Sequence, residues 1–263
     1  RTATTCTATR GANNATGDRG FSLTGVWKVG TVTAVHAETP TARSLQVEIP
    51  DWPGNLAGQH LDLRLTAPDG YTATRSYSIA SAGPGTLVQL AVDKLPDGEV
   101  SPYLVDEVRV GDELELRGPL GGWFVWRPEQ PEPVQLIAGG SGVVPLVAMI
   151  RAHEAAGSTT RFRLLYSVRT PADVFFAEEL ESLQKTSTNL EITWVYTRQT
   201  PEGWPTPAGR VTREILAEST IPASDTPTVF VCGPTSFVEA VADILVDLGH
   251  PAERVKTERF GGA

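Results

Sequence analysis

The sequence predicts two domains in tandem, an antiparallel β-barrel followed by an α/β domain built on a parallel sheet. Three observations carry this. The 263 residues exceed what one domain usually holds, and each half is long enough to bury a core of its own. From Gly25 to about Arg127, short β-rich runs are separated by Pro-Gly, Asp-Gly and Gly-Asp pairs, whereas from Val134 onward apolar strands alternate with helical patterns. Between the two, Arg127-Pro-Glu-Gln-Pro-Glu-Pro133 places three prolines in seven residues, the composition of a link. The expected division is an extension over 1–24, a barrel over 25–130 and an α/β domain over 131–263.

In the first half, strands are expected at Lys28 to Val35, Ser44 to Ile49, His60 to Leu65, Ser76 to Ile79, Leu87 to Val92 and Glu113 to Arg117. Strands at this spacing suit a small barrel. A short helix is expected near Val100 to Val105, with Ser101 as its N-cap and Pro102 at the first helical position. In the second half, strands are expected at Val134 to Ala138, Arg161 to Ser167, Glu191 to Thr197 and Val229 to Cys232. Helices are expected at Pro145 to Ala156, Ala177 to Gln184, Thr212 to Glu218 and Ser236 to Leu248. Strands joined through helices require crossovers, hence a parallel sheet covered on both faces with ligands at its carboxyl end.

Composition narrows the function. Hydrophobic residues at 40% and charged residues at 20% are globular values. Residues 1–24 hold few apolar side chains and no amphipathic period, and are read as a low-complexity extension expected to be disordered. A net charge of -9, from 31 acidic against 22 basic residues, weighs against nucleic-acid and anionic-membrane partners. No apolar run is long enough to cross a bilayer and the N-terminal stretch lacks a signal-peptide core, so a cytoplasmic location is expected. Two cysteines, Cys6 and Cys232, are too few for a disulfide framework, a four-cysteine zinc site or a [2Fe–2S] cluster. Redox chemistry here would use an organic cofactor, and no metal site is expected.

Three runs carry chemistry. Gly139-Gly140-Ser141-Gly142-Val143-Val144-Pro145 leads from a strand into a helix, where glycines let a pyrophosphate approach the helix N-terminus; a tight turn without a ligand is the alternative. Pro145 stands where the familiar dinucleotide fingerprint has its last glycine, which argues against a simple Rossmann dehydrogenase. No acidic residue lies between Glu154 and Asp173 to bind an adenosine ribose hydroxyl. Ser167, Arg169, Thr197 and Arg198 stand at the strand ends instead, which favours NADPH over NADH, with solvated loop arginines as the alternative. Arg75-Ser76-Tyr77-Ser78-Ile79 alternates along a strand and offers an arginine for phosphate, an aromatic face for a ring and a hydroxyl. Taken alone it could equally be a surface strand with a salt-bridged arginine.

The order of that run resembles the Arg-x-Tyr-Ser flavin motif of the ferredoxin–NADP reductase superfamily, and the resemblance continues along the chain. Gly98-Glu99-Val100-Ser101-Pro102-Tyr103-Leu104 resembles the second flavin segment, and Gly118-Pro119-Leu120-Gly121 the turn that closes the barrel. Gly139 to Pro145 resembles the nicotinamide-nucleotide turn, Cys232-Gly233-Pro234 the segment beside the nicotinamide, and Glu258-Arg259-Phe260-Gly261 the C-terminal ending near the flavin.

The resemblance implies FAD on the barrel, with Val92 among its contacts, and NADP, or NAD as the alternative, on the α/β domain. It implies Ser78 near flavin N5, Cys232 beside the nicotinamide, Glu258 binding nicotinamide or managing protons, and Phe260 shielding the flavin ring. Many relatives add an iron–sulfur or globin domain, for which this sequence has no counterpart, so a separate acceptor is expected. That acceptor would be ferredoxin-like. An NADH-dependent reductase serving an oxygenase or oxidase is the competing expectation, and a non-catalytic flavin- or nucleotide-binding regulatory subunit is a third. Trp123, Phe124 and Trp126 either flank the flavin or pack in the barrel, and His60 is read as structural.

Overall fold

The computed structural model describes residues 26–260; the expected extension over 1–24 and Gly261 lie outside the described residues. The first half forms a six-stranded antiparallel sheet from β1 (Lys28–Thr39), β2 (Ala42–Glu48), β3 (His60–Thr66), β4 (Thr72–Ser78), β5 (Leu87–Asp93) and β6 (Glu113–Leu120), in the order β4-β3-β6-β1-β2-β5. Leu45 and Val47, Leu61 and Leu63, Val88, Leu90 and Val92, and Leu114 and Leu116 recur at period two and are buried together in one core. The outer strands meet where Ile79 bridges to Leu90 and the Ala80 N–H donates to the Gln89 carbonyl at 2.7 Å. This contact closes the sheet into the expected barrel.

The segment after β5 corrects one expectation. Ser101 does not cap the helix that follows it: its hydroxyl accepts from the Leu95 N–H at 3.0 Å, pinning the loop instead. A short helical stretch then widens into a π-helical turn over Tyr103–Glu107, with Leu104 and Val105 buried.

The second half is a five-stranded sheet in which every pairing is parallel, in the order β11-β10-β7-β8-β9. Its strands are β7 (Val134–Gly139), β8 (Phe162–Val168), β9 (Leu190–Tyr196), β10 (Thr228–Pro234) and β11 (Val255–Phe260). Helices α1 (Val143–Ala155) and α2 (Ala177–Thr186) share one core with the sheet, and α3 (Arg213–Ser219) and α4 (Thr235–Asp247) another. Both faces are therefore covered, as the alternation of elements requires. Strand β11 was not foreseen as a strand. Its sequence, Val-Lys-Thr-Glu-Arg-Phe, has no buried residue because it pairs with β10 alone at the sheet edge.

The two halves share a seam. Ala42, Ala57, Ala80 and Ala91 of the barrel lie in the same core as α1 and β7. Phe124 and Trp126 are buried, but in this seam rather than inside the barrel. Phe124 meets Phe230 edge-on at 5.2 Å and Trp126 meets Phe162 at 5.0 Å. Trp123 is exposed, with the Lys256 ammonium 5.2 Å from its ring. No helix among the described residues is long and apolar enough to cross a membrane.

Candidate active site

A groove of about 300 Å³ opens where the barrel meets the carboxyl end of the parallel sheet. One wall is Arg75, Ser76, Tyr77 and Ser78 of β4 with Val92 and Asp93 of β5; Gly98, Glu99, Val100 and Ser101 form its end. The other wall is Ser141, Val144 and Phe260. Residues widely separated in sequence thus face one space, because β4 ends at the barrel rim and β7 ends at the sheet rim.

On the barrel wall, Tyr77 is half-buried and burial pushes its phenol up to about 12, so it presents a neutral aromatic face. Ser76 turns the other way, its hydroxyl donating to Asp62 at 2.7 Å within a cluster that includes Arg117. Ser78 pairs across the ladder with His60, which burial depresses below its ordinary value. Arg75 is 51% exposed and forms an ion pair with Glu99, whose other oxygen accepts from the Tyr71 hydroxyl at 2.8 Å. The salt-bridged alternative for Arg75 is thus met, yet the pair sits in the groove itself. Glu99, Asp93 and Leu95 are groove residues that sequence reasoning passed over. Glu99 stood inside the quoted second segment, where an acid beside a prospective phosphate was the available signal.

On the sheet wall, three of the glycines exist for packing between strand ends. A Cβ on Gly142 would come within 2.3 Å of the Cys232 carbonyl oxygen, and one on Gly139 or Gly233 would lie 2.8 Å from the Phe237 ring. Gly140 differs. It adopts φ +55° with open space beside it, so its backbone is free to face a ligand. Pro145 is buried within the first turn of α1, and Pro234 is exposed at the end of β10.

Cys232 and Glu258 are register partners on β10 and β11. The thiol is buried, and burial together with the Glu258 charge raises it far above its ordinary value, so it is a neutral thiol. Burial also raises the Glu258 carboxyl, to about 7, and it makes no hydrogen bond or ion pair among the described residues. A carboxyl that titrates near neutrality can hold or release a proton at working pH. Phe260, two residues on, presents its ring to the groove.

The four strand-end residues divide. Ser167 is buried beside its register partner Gly139, away from the surface. Arg169 and Arg198 are exposed neighbours, the Arg198 N–H donating to the Arg169 carbonyl at 2.9 Å, and neither guanidinium has a hydrogen-bond partner among the described residues. Thr197 is half-buried between them. Burial raises the Asp93 carboxyl, and the charge of Arg169 opposes that rise. Among the described residues no cluster of His, Cys, Asp and Glu could hold a metal.

An arginine for phosphate, a neutral aromatic face, hydroxyls and an open backbone turn fit a flavin and a nicotinamide dinucleotide lying across this groove. Comparison with known proteins decides the family. Residues 31–125 match the oxidoreductase FAD-binding domain and residues 136–243 the oxidoreductase NAD-binding domain. A ferredoxin–NADP reductase B from Sorangium cellulosum is 34% identical over 86% of this chain and 95% of its own length.

The chain belongs to the ferredoxin–NADP-reductase-like family of FAD- and NAD(P)-binding oxidoreductases.

Two further reductases are similar to this chain. An NADH-cytochrome b5 reductase 1 from Pyricularia oryzae is 31% identical over 75% of this chain, which spans 65% of that protein. A glycine betaine monooxygenase reductase subunit from Chromohalobacter salexigens is 32% identical over 78% of this chain and 55% of its own length. Among solved structures, the flavohem-like FAD/NAD-binding domain of a Vibrio cholerae nitric oxide dioxygenase superposes with a TM-score of 0.79 at 25% identity, over 89% of this chain and 99% of that one. The ferredoxin reductase of carbazole 1,9a-dioxygenase superposes with a TM-score of 0.75 at 26% identity, over 90% and 70%.

Proposed function

We propose that this reductase takes electrons from NADPH through FAD to a separate protein acceptor, and that the acceptor is a component of an oxygenase system. The observation that carries the reading is the groove itself, in which β4 of the barrel faces Ser141, Val144 and Phe260 of the second domain. FAD, when bound, supplies the step from a two-electron hydride to single electrons, so this chain's own task is placement.

Arg75 and the turn at Gly98 to Ser101 would hold the diphosphate, Tyr77 and Val92 the ring system, and Ser78 the edge of the ring that reacts. Gly139 to Gly142, with Gly233 and Pro234, would hold the nicotinamide nucleotide. The neutral Cys232 thiol leaves the neighbouring space without charge, and Glu258 holds or releases a proton at its carboxyl oxygen. Arg169 and Arg198, side by side and unpaired, support NADPH over NADH because two guanidiniums suit a 2′-phosphate. Similarity to the glycine betaine monooxygenase reductase subunit and the carbazole dioxygenase reductase supports an oxygenase acceptor over a free ferredoxin.

The test is anaerobic stopped-flow reduction of the yellow protein by NADPH and NADH, in wild type and in the Arg169→Ala, Arg198→Ala double variant. Wild type should favour NADPH, and the double variant should lose about tenfold or more in kcat/KM for NADPH while NADH is little changed. Equal use of both nucleotides by the wild type, or equal losses in the variant, removes the NADPH assignment. A colourless protein that cannot be reconstituted removes the flavoenzyme reading and favours a regulatory subunit.

A further inference from the structure

We infer that Arg151 is a positioning residue that fixes the sheet wall of the groove against the barrel wall, and so sets how closely the two bound rings approach. This deepens the proposed function and rests on its placing of flavin and nicotinamide on opposite walls.

Arg151 sits on α1, the helix that begins at the glycine turn, but it is not among the residues lining the groove. One guanidinium nitrogen, Nη1, donates to the Ala80 carbonyl at 2.9 Å and to Gln89 Oε1 at 2.6 Å. The other two, Nε and Nη2, form a fork on Glu179 of α2 at 2.7 and 2.6 Å. The cation also lies 4.8 Å from the Phe176 ring, and the Phe176 N–H donates to Glu38 of β1 at 2.9 Å.

Ala80 lies two residues beyond Ser78, on the run that carries the flavin motif, and its own N–H is held by Gln89. One side chain therefore ties the end of the flavin strand, the partner strand β5, the helix that begins the nucleotide site and the helix beside it. Only a planar fork of several donors can satisfy a carbonyl, an amide oxygen and a carboxylate from one position, so lysine is not an equivalent. Two walls belonging to different domains need such a tie, because hydride transfer tolerates little error in distance.

The test uses the full chain loaded with FAD, comparing wild type, Arg151→Ala, Arg151→Lys and Gln89→Met. In Arg151→Ala, flavin content and FAD affinity should stay within about twofold of wild type and the nucleotide Kd within about threefold. The rate constant of flavin reduction should fall by about 10- to 100-fold, the scale of a misplacement near 1 Å. The long-wavelength absorbance that reports stacking of nicotinamide on flavin should weaken in step. Added guanidinium ion should restore part of the rate, Arg151→Lys should lie between, and Gln89→Met should show a smaller loss of the same kind.

Reduction at the wild-type rate in Arg151→Ala overturns the inference. So does loss of FAD and rate in equal measure across the three variants, which would make Arg151 a scaffold residue. A wild type that holds FAD but is not reduced by either nucleotide overturns the proposed function, and this inference with it.

Discussion

The two walls of the groove are built on opposite principles. The barrel wall presents charged side chains that already have partners: Arg75 is engaged by Glu99, which is held in turn by Tyr71. Behind the sheet wall's Ser141, Val144 and Phe260, backbone is brought so close that side chains are excluded, with Gly142 against the Cys232 carbonyl and Gly139 and Gly233 against Phe237. A ligand on the first wall must exchange one set of ionic contacts for another. On the second it meets Ser141, Val144 and Phe260, set in front of glycine backbone that has no side chain to move. Exchange of ionic contacts should therefore govern ligand binding on the barrel wall, and steric fit the strand ends behind the sheet wall.

The largest effect tests the sheet wall. Gly142→Ala places a methyl within 2.3 Å of a carbonyl oxygen that cannot retreat without moving β10. The expected loss is about 3 kcal/mol or more, read as a fall in denaturation midpoint. A variant as stable as wild type would show that the two strand ends are not rigidly apposed.

Next comes Glu258, on β11 beside Cys232, whose carboxyl burial raises to about 7 from the ordinary 4.5. A carboxyl with a raised folded-state pKa binds more protons folded than unfolded, so stability falls as pH rises from about 4.5 through 7, by about 3 kcal/mol in all. Glu258→Gln should remove that dependence, being more stable than wild type at pH 8 and little different at pH 4. Parallel stability–pH curves for the two proteins would show that the carboxyl is ordinary.

The smallest effect tests the barrel wall. Arg75→Ala should weaken FAD by about 2 kcal/mol, while Glu99→Gln should strengthen it, because the arginine no longer has to leave a carboxylate. Isothermal titration of apoprotein with FAD checks both. If Glu99→Gln also weakens FAD, the carboxylate holds Arg75 in its binding pose and the two walls are less different than their partners suggest.

Legibility followed the same division. Strands whose apolar residues recur at period two, such as β3 and β5, were readable to within a residue, since burial on one face leaves that pattern. Strand β11 was missed because an edge strand with no buried side chain carries no such pattern. The Gly139 to Pro145 turn was readable as a motif, but the reason for its glycines was only partly so. Contact between Gly142 and Cys232 joins residues 90 positions apart in sequence, and no local pattern reports it. Phe124 and Trp126 were readable as buried, but which core they enter depends on how the halves dock. Ser101 looked like a cap because its neighbours fit one; its hydroxyl is engaged by a loop amide that sequence spacing does not single out.

Helix α1 is buried from Val143 through Ile150, with the sheet on one side and the barrel alanines on the other. Neither half has a finished surface where they meet. The halves are consequently not exchangeable cassettes: a chimera joining this barrel to a relative's nucleotide half would have to match the barrel's share of this core, Ala42, Ala57, Ala80 and Ala91, across the cut. Cut between β6 and β7 instead, each fragment would present an open apolar face to water and aggregate, and the intact chain should melt in one transition, not two.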